Sequence, residues 1–231
     1  RQLLMLIHKK GYLYFDVQHG RWKWKIEEIQ KLEPGNDVLQ FFMKKLQGMT
    51  KETLEIMKLA SCIGSRFDLQ TLSDIWGKSV EETASGLMPS FHEGLVLPVT
   101  NPNEDLPTEY IQDIHTEPSV YKFLHDRVQQ AVYSLIDGKE KKEKHLAIGR
   151  YLLKETTEDN LDEIILSVMD HINRSLELMD DPEERLQLAR YNLLAGRKAK
   201  ALAAYTSALQ YFRFGSTLLT DGSWQRDYKL C

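Results

Sequence analysis

Apolar residues recur at helical spacing through most of this chain and alternate with polar ones in only a few short stretches. Residues 1–10 read as the end of a helix, with Leu3, Leu6 and Ile7 on one face and Gly11 as its stop. Residues 12–17 and 21–25 alternate and predict a hairpin turning near His19-Gly20. Trp22 and Trp24 fall on one of its faces, Lys23 and Lys25 on the other. Large aromatics in so small a hairpin are expected to pack against neighbouring elements; interleaved with cations, they are also a pattern that stacks on nucleic-acid bases. Residues 26–32 predict a short helix that Pro34-Gly35-Asn36 breaks, and residues 37–46 a second that Gly48 ends.

From Thr50 the pattern predicts a helix with Leu54, Met57, Leu59, Ala60 and Ile63 inward, stopped by Gly64. Another covers 68–76. Ser79-Val80-Glu81-Glu82 is a capping box that opens a third, with Val80, Ala84, Leu87, Met88 and Phe91 as its inner set, a kink at Pro89 and an end near Gly94. Residues 95–99 and 120–124 read as strands joined by a long turn over 100–118. Three helices, a two-stranded ribbon and a following helix make a winged-helix arrangement.

From about Gly138 the pattern is almost wholly helical, over 139–153, 161–178, a segment opened by Pro182 and running to about 203, and 205–219. Short connections between such helices imply antiparallel neighbours. Ala204 and Ala208 with Tyr205, Tyr211 and Phe212 look like the small-and-aromatic interlock of a tetratricopeptide-like pair, with Trp224 and Tyr228 opening the next. The expected fold is therefore mostly α: a winged-helix domain with a small β-hairpin, then a tetratricopeptide-like antiparallel helical array. The expected boundaries are 1–48 for the end of an upstream module with its hairpin, 49–137 for the winged helix and 138–231 for the helical repeats.

Composition narrows the partners. With 231 residues the chain can bury a real core in one or two domains. Its net charge of −4 gives no global attraction to nucleic acid or to an acidic membrane surface. The two cysteines, Cys62 and Cys231, lie far apart and in no metal-ligand spacing. They imply a reducing, cytoplasmic setting rather than a disulfide framework. No apolar run approaches the length that spans a bilayer. The chain opens inside a helical pattern without an initiator methionine, so it reads as part of something longer.

The candidate chemistry lies in Phe123-Leu124-His125-Asp126, followed by Val128 and Ala131-Val132-Tyr133. A strand end here meets a helix start. Asp126 is placed to cap that helix, and His125 stands beside an N-terminus of the kind that favours anions such as phosphate. A histidine before a helix is also a common structural residue. The segment resembles the winged-helix part of STAND-type signalling ATPases, where it occurs as a Met-His-Asp motif; Leu124 stands here for the methionine. The wider chain, including the glycine–aromatic strand–turn–Trp-x-Trp stretch, resembles the predicted ATPase region of bacterial multi-sensor kinases carrying serine/threonine kinase or histidine kinase domains. That resemblance implies nucleotide sensing by His125 and Asp126, ADP or ATP with Mg bound in the longer protein, and an upstream nucleotide-binding domain of the same polypeptide as partner. It also implies protein partners on the helical repeats.

No catalytic constellation is visible. Gly77-Lys78-Ser79 imitates a phosphate loop, but the glycine required five residues earlier is Leu72, and a helix rather than a strand precedes it. His8, His19, His92, His115, His145 and His171 are scattered, with His171 read as a surface or packing residue, and no metal site is expected. Lys139–Lys144 reads as a solvated, mixed-charge helix face. No Lys or Arg lies between Val80 and Gly94, the recognition-helix position of a DNA-binding winged helix, so DNA is not an expected partner. Nor is a membrane. The chain is thus expected to be a non-catalytic regulatory relay within a signalling ATPase-kinase. The alternatives are the middle of a large ATP-dependent transcription regulator and a plain interaction scaffold.

Overall fold

A computed structural model describes residues 2–30, 42–99 and 119–219. The described chain is mostly α with small antiparallel sheets, in two compact units, Arg1–Leu135 and Ile136–Cys231.

The first unit opens with α1 (Gln2–Lys9), the hairpin strands β1 (Leu13–Asp16) and β2 (Arg21–Trp24), and α2 (Ile26–Gln30). Leu13 pairs with Trp24 and Asp16 with Arg21. Asp16 fixes the turn by accepting from the amides of Gln18 and His19 and from Lys23 Nζ at 2.5 Å. The aromatic face is less covered than expected. Phe15 and His8 meet Trp22 edge-on, at centroid distances of 5.5 and 5.9 Å. Trp22 and Trp24 nonetheless remain 52% and 53% exposed. Two strands offer too few apolar neighbours to enclose two indoles. The predicted helix over 37–46 lies largely outside the described residues, although 42–47 are helical.

The sheet of this unit has three strands where two are expected. α3 (Lys51–Ile63), β3 (Arg66–Asp68), α4 (Leu69–Trp76), α5 (Val80–His92), β4 (Val96–Pro98) and β5 (Val120–Phe123) follow in order, and the strand order is β3-β5-β4. β3 pairs with β5 from Arg66↔Lys122 to Asp68↔Val120, which places β5 in the centre. Three helices, α3 to α5, belong with this sheet. Phe67, Tyr121 and Phe123 meet on the sheet's inner face, beside Leu72, Leu87 and Val96. Burying each such side chain stabilises by roughly 1.5–3 kcal/mol.

The inner face of α5 is Thr83, Leu87 and Ser90, whereas Met88 is exposed, contrary to the expected set. Gly86 explains the register: a Cβ there would come under 3.0 Å from Ile56, so α3 lies against the glycine. The capping box at Ser79 and Glu82 is formed in full.

The second unit contains α7 (Gly138–Glu155), α8 (Glu158–Ile172), a 3-10 turn (Leu176–Leu178), α9 (Pro182–Ala201) and α10 (Tyr205–Leu218); the junction helix α6 (Asp126–Ser134) closes the first. α7 packs on α8, α8 on α9 and α9 on α10. Asp137 and Asp181 cap α7 and α9 through their carboxylates. The continuous helix expected over 161–178 ends at Ile172, and the chain re-forms only one 3-10 turn. α9 and α10 approach closely because glycine faces them on both sides. A Cβ on Gly196 would meet three ring atoms of Phe212 under 3.0 Å, and one on Gly215 would press on Asn192. Among the described residues no helix is long and apolar enough to cross a membrane.

Candidate functional site

Strand β5 delivers His125 to its position. Phe123 N–H donates to Ser65 O and Leu124 N–H to Leu95 O, each at 3.0 Å, so the extended backbone is held from both sides up to Leu124. Helical geometry then starts at Asp126. The cap is therefore His125 and not Asp126: His125 has extended backbone angles, and its ring Nδ1 accepts from Arg127 N–H at 3.1 Å. Asp126 sits one residue too late to cap. As a first-turn anion it still interacts favourably with the helix dipole. On the inner side Val128, Ala131 and Val132 are buried, and Gln129 Nε2 donates to Ser61 O at 3.0 Å, tying α6 to α3.

The cap determines the chemistry His125 can offer. With Nδ1 used as an acceptor, a neutral ring carries its proton on Nε2. That Nε2–H is a donor on an exposed side chain, beside exposed Asp126 and Arg127. Such a donor suits an anionic oxygen. It does not suit a metal ion, which needs an unprotonated nitrogen.

The phosphate-loop imitation has a structural explanation for each residue. Gly77 ends α4 in the left-handed conformation at φ 77, Lys78 Nζ reaches Glu52 at 2.6 Å, and Ser79 is the cap of α5.

The second unit holds a polar cluster that sequence reading missed. His145 on α7 and His171 on α8 face each other with Nδ1 to Nδ1 at 2.9 Å. One ring must carry its proton on Nδ1 and the other must not. His145 is only 4% exposed. Burial pushes its pKa down to about 4, with His171, Arg174 and Lys141 adding to the effect. Burial, again with Arg174, also lowers His171, while Asp170 opposes the shift. Next to His171, Asp170 accepts from Tyr211 Oη of α10 at 2.6 Å, and burial followed by that bond raises the tyrosine pKa. Two residues on, Asn173 and Asn192 of α9 exchange amide hydrogen bonds at 2.8 and 3.0 Å, and Ser175 Oγ donates to Lys142 O of α7 at 2.7 Å. The end of α8 thus fastens three neighbouring helices within six residues. His145 and His171 are thus brought together, and His171, read as a surface or packing residue, is half-buried and packs against His145 while bonding to it.

Helical phase carries a signal for this pair. His145 continues the face of Ile148, Gly149 and Leu152, which marks it as inward. Nothing in the chain pairs it with a residue on the next helix. Two imidazoles could ligate a metal only with further donors. Among the described residues no group of three His, Cys, Asp or Glu comes together, and Arg174 and Lys141 oppose a cation.

The Asn173–Asn192 exchange yields a prediction. Asn192 is fully buried and also donates to Leu188 O. Asn192→Ala leaves the Asn173 amide without its partner and should cost about 1–3 kcal/mol. Urea unfolding of wild type and variant checks it; a change within ~0.5 kcal/mol would show that the pair contributes nothing.

No protein-family model matches the chain, and no solved structure matches it. Two curated proteins do. The chain is 30% identical over 257 residues to hybrid signal transduction histidine kinase G of Dictyostelium discoideum, covering 96% of this chain and 8% of that protein. It is 21% identical over 219 residues to the peroxide stress-activated histidine kinase mak3 of Schizosaccharomyces pombe, covering 92% of this chain and 8% of that protein. These relatives come from a slime mould and a yeast, whereas the sequence resemblance points to bacterial kinases. The chain spans about one twelfth of the length of either relative, and over nearly all of its own length it is similar to a region of signal-transduction histidine kinases.

Proposed function

We propose that this chain is a non-catalytic regulatory region of a signal-transduction histidine kinase, in which the first unit reads the state of a nucleotide-binding domain and the helical unit passes the change on. The observation that carries the proposal is the similarity of almost the whole chain to one stretch of much longer histidine kinases. The geometry at the β5–α6 junction supports the sensing role. His125 is held by its own cap bond with an Nε2–H donor turned outward, which is what contact with a nucleotide phosphate requires. The nucleotide is ADP or ATP with Mg, bound by an upstream domain that His125 and Asp126 would face. ADP then favours one arrangement of the units and exchange releases it, a population shift.

The helical unit fits the tetratricopeptide-like reading through the small-residue contacts at Gly196 and Gly215, and protein partners are its expected ligands. A cytoplasmic setting follows from a kinase of this kind.

Two substitutions in the longer kinase separate sensing from capping. His125→Asn keeps a side-chain acceptor at the cap and loses the imidazole; His125→Ala loses both and should cost the fold about 0.5–2 kcal/mol. Autophosphorylation should lose its dependence on the ADP-to-ATP ratio in both variants, at unchanged maximal rate. Retention of that dependence in His125→Asn would leave His125 a cap residue only. The 231-residue chain by itself should bind neither nucleotide tightly, and stoichiometric ATP binding by calorimetry would contradict the relay reading.

A further inference from the structure

Helix α7 is held to α8 by few side chains, and one of them titrates. Only four α7 residues are buried, His145, Leu146, Ile148 and Gly149. Gly149 contributes a close approach rather than a side chain: a Cβ there would lie 2.5 Å from Ile172 of α8. None of the charged residues that precede His145, 139–144, is buried. Helix α8, by contrast, buries Ile165, Val168, Met169 and Ile172, all large and apolar.

His145 and His171 meet across this seam with Nδ1 to Nδ1 at 2.9 Å and ring centroids 5.1 Å apart. That bond requires a single proton between the two nitrogens, and a second leaves two N–H donors facing each other. The surrounding charges add to the repulsion. Lys141 on α7 and Arg174 on α8 disfavour a protonated His145. Asp170 on α8 favours a protonated His171, but its carboxylate is bonded to Tyr211 of α10. Further out, Glu177 of the 3-10 turn is paired with Lys142 of α7, and Glu184 of α9 with Arg150 of α7. The ties from the end of α8 to α9 and α10 are of another kind. Asn173 and Asn192 exchange amide hydrogen bonds, and burial with the Asp170 bond keeps the Tyr211 phenol protonated.

We propose that the His145–His171 pair is a proton-operated latch on α7: protonation of both rings releases α7 from α8, while α8, α9 and α10 stay packed together. The latch is independent of nucleotide sensing, since neither histidine belongs to the β5–α6 junction. It also differs from a uniform loss of stability. An element with few buried side chains opens by itself at a lower free energy than the whole unit unfolds. Helix α7 follows α6 after three residues, so the latch lies where the chain enters the helical unit. The sign is fixed by the neutral rings that the closed seam prefers. Once open, both histidines titrate in the ordinary range, so protons drive opening as pH falls from about 6.5 towards 4.

The test is amide hydrogen exchange, read by mass spectrometry on the full 231-residue chain without nucleotide at about pH 7 and about pH 5. Each rate is divided by that of the unfolded chain at the same pH. Wild-type α7 should lose protection about twentyfold between the two, the effect of one histidine that titrates at about 4 when closed and 6.5 when open. Protection of α9 and α10 should change by less than about threefold. The double variant H145N/H171N keeps an amide on each side of the seam and removes both titrating rings. Its α7 protection should therefore be nearly independent of pH. H145N alone is the milder change and should show a smaller fall than wild type. A loss shared equally by α7, α9 and α10 would make the pair a stabiliser of the whole unit and overturn the proposal. So would unchanged protection of α7 at the lower pH, or a wild-type fall in either variant.

Discussion

Gly196→Leu should destabilise the helical unit by about 2 kcal/mol. Gly196 sits mid-helix in α9 with Phe212 of α10 against it, and even a Cβ would lie under 3.0 Å from three atoms of that ring. A leucine must push that ring, which is itself partly buried against the core of the unit, away from α9. Overpacking of this kind costs about 1–3 kcal/mol, occasionally more. Leucine returns up to ~1 kcal/mol through its better helix propensity. Because that gain is smaller than the strain, the sign is a loss. Phe212→Leu should relieve part of it, so the double variant Gly196→Leu/Phe212→Leu should be more stable than additivity predicts. Denaturant unfolding of the four proteins measures the coupling, and strict additivity would show that the two residues do not share the space.

Acid should weaken the same unit, by about 3 kcal/mol, through His145 and His171. His145 has its pKa pushed to about 4 from an ordinary value of 6.5, and His171 is lowered too. A lowered histidine pKa means that the folded state prefers the neutral ring. Between pH 6.5 and 4 the unfolded chain binds protons that the folded chain does not, so stability falls as pH falls. The contribution is complete above about pH 6.5 and is lost towards pH 4. A gap of that size for His145 corresponds to about 3 kcal/mol. The geometry gives the same direction: with both Nδ1 atoms protonated, two N–H donors would point at each other across 2.9 Å. His145→Leu removes the titrating group. Its stability should be lower at pH 7, because His171 loses its partner, and should change less between pH 7 and 4.5 than that of wild type. Parallel pH profiles for the two proteins would rule out the pair as the origin of the acid sensitivity.

The contrast between what periodicity discloses and what it hides has a physical basis. α9 was legible because Pro182 sits at its first position, and α5 because Ser79 and Glu82 lie at capping-box spacing. These signals are local, and local chemistry decides them. β3 was not legible. Three residues cannot show alternation, and Arg66–Asp68 becomes a strand only by pairing with β5, far along the chain. The end of α8 at Ile172 was hidden for the same reason. No glycine or proline stops it; Asn173 and Ser175 instead bond to α9 and α7. The junction at His125 was half legible. A strand meeting a helix at Leu124-His125-Asp126 was evident, but the capping residue depends on where the sheet's hydrogen bonds to Ser65 and Leu95 stop. The His145–His171 pair needed two helices brought together; helical phase marks His145 alone as inward, and His171 alone reads as a surface or packing residue.

The most direct test of the central claim is the nucleotide content of the longer kinase purified without added nucleotide, for wild type, His125→Ala and His125→Asn. If His125 reads the nucleotide through its Nε2–H, the wild-type protein carries ADP, and both variants lose it while staying folded. Equal ADP in all three proteins, or none in wild type, would contradict the account and leave His125 as the cap of α6.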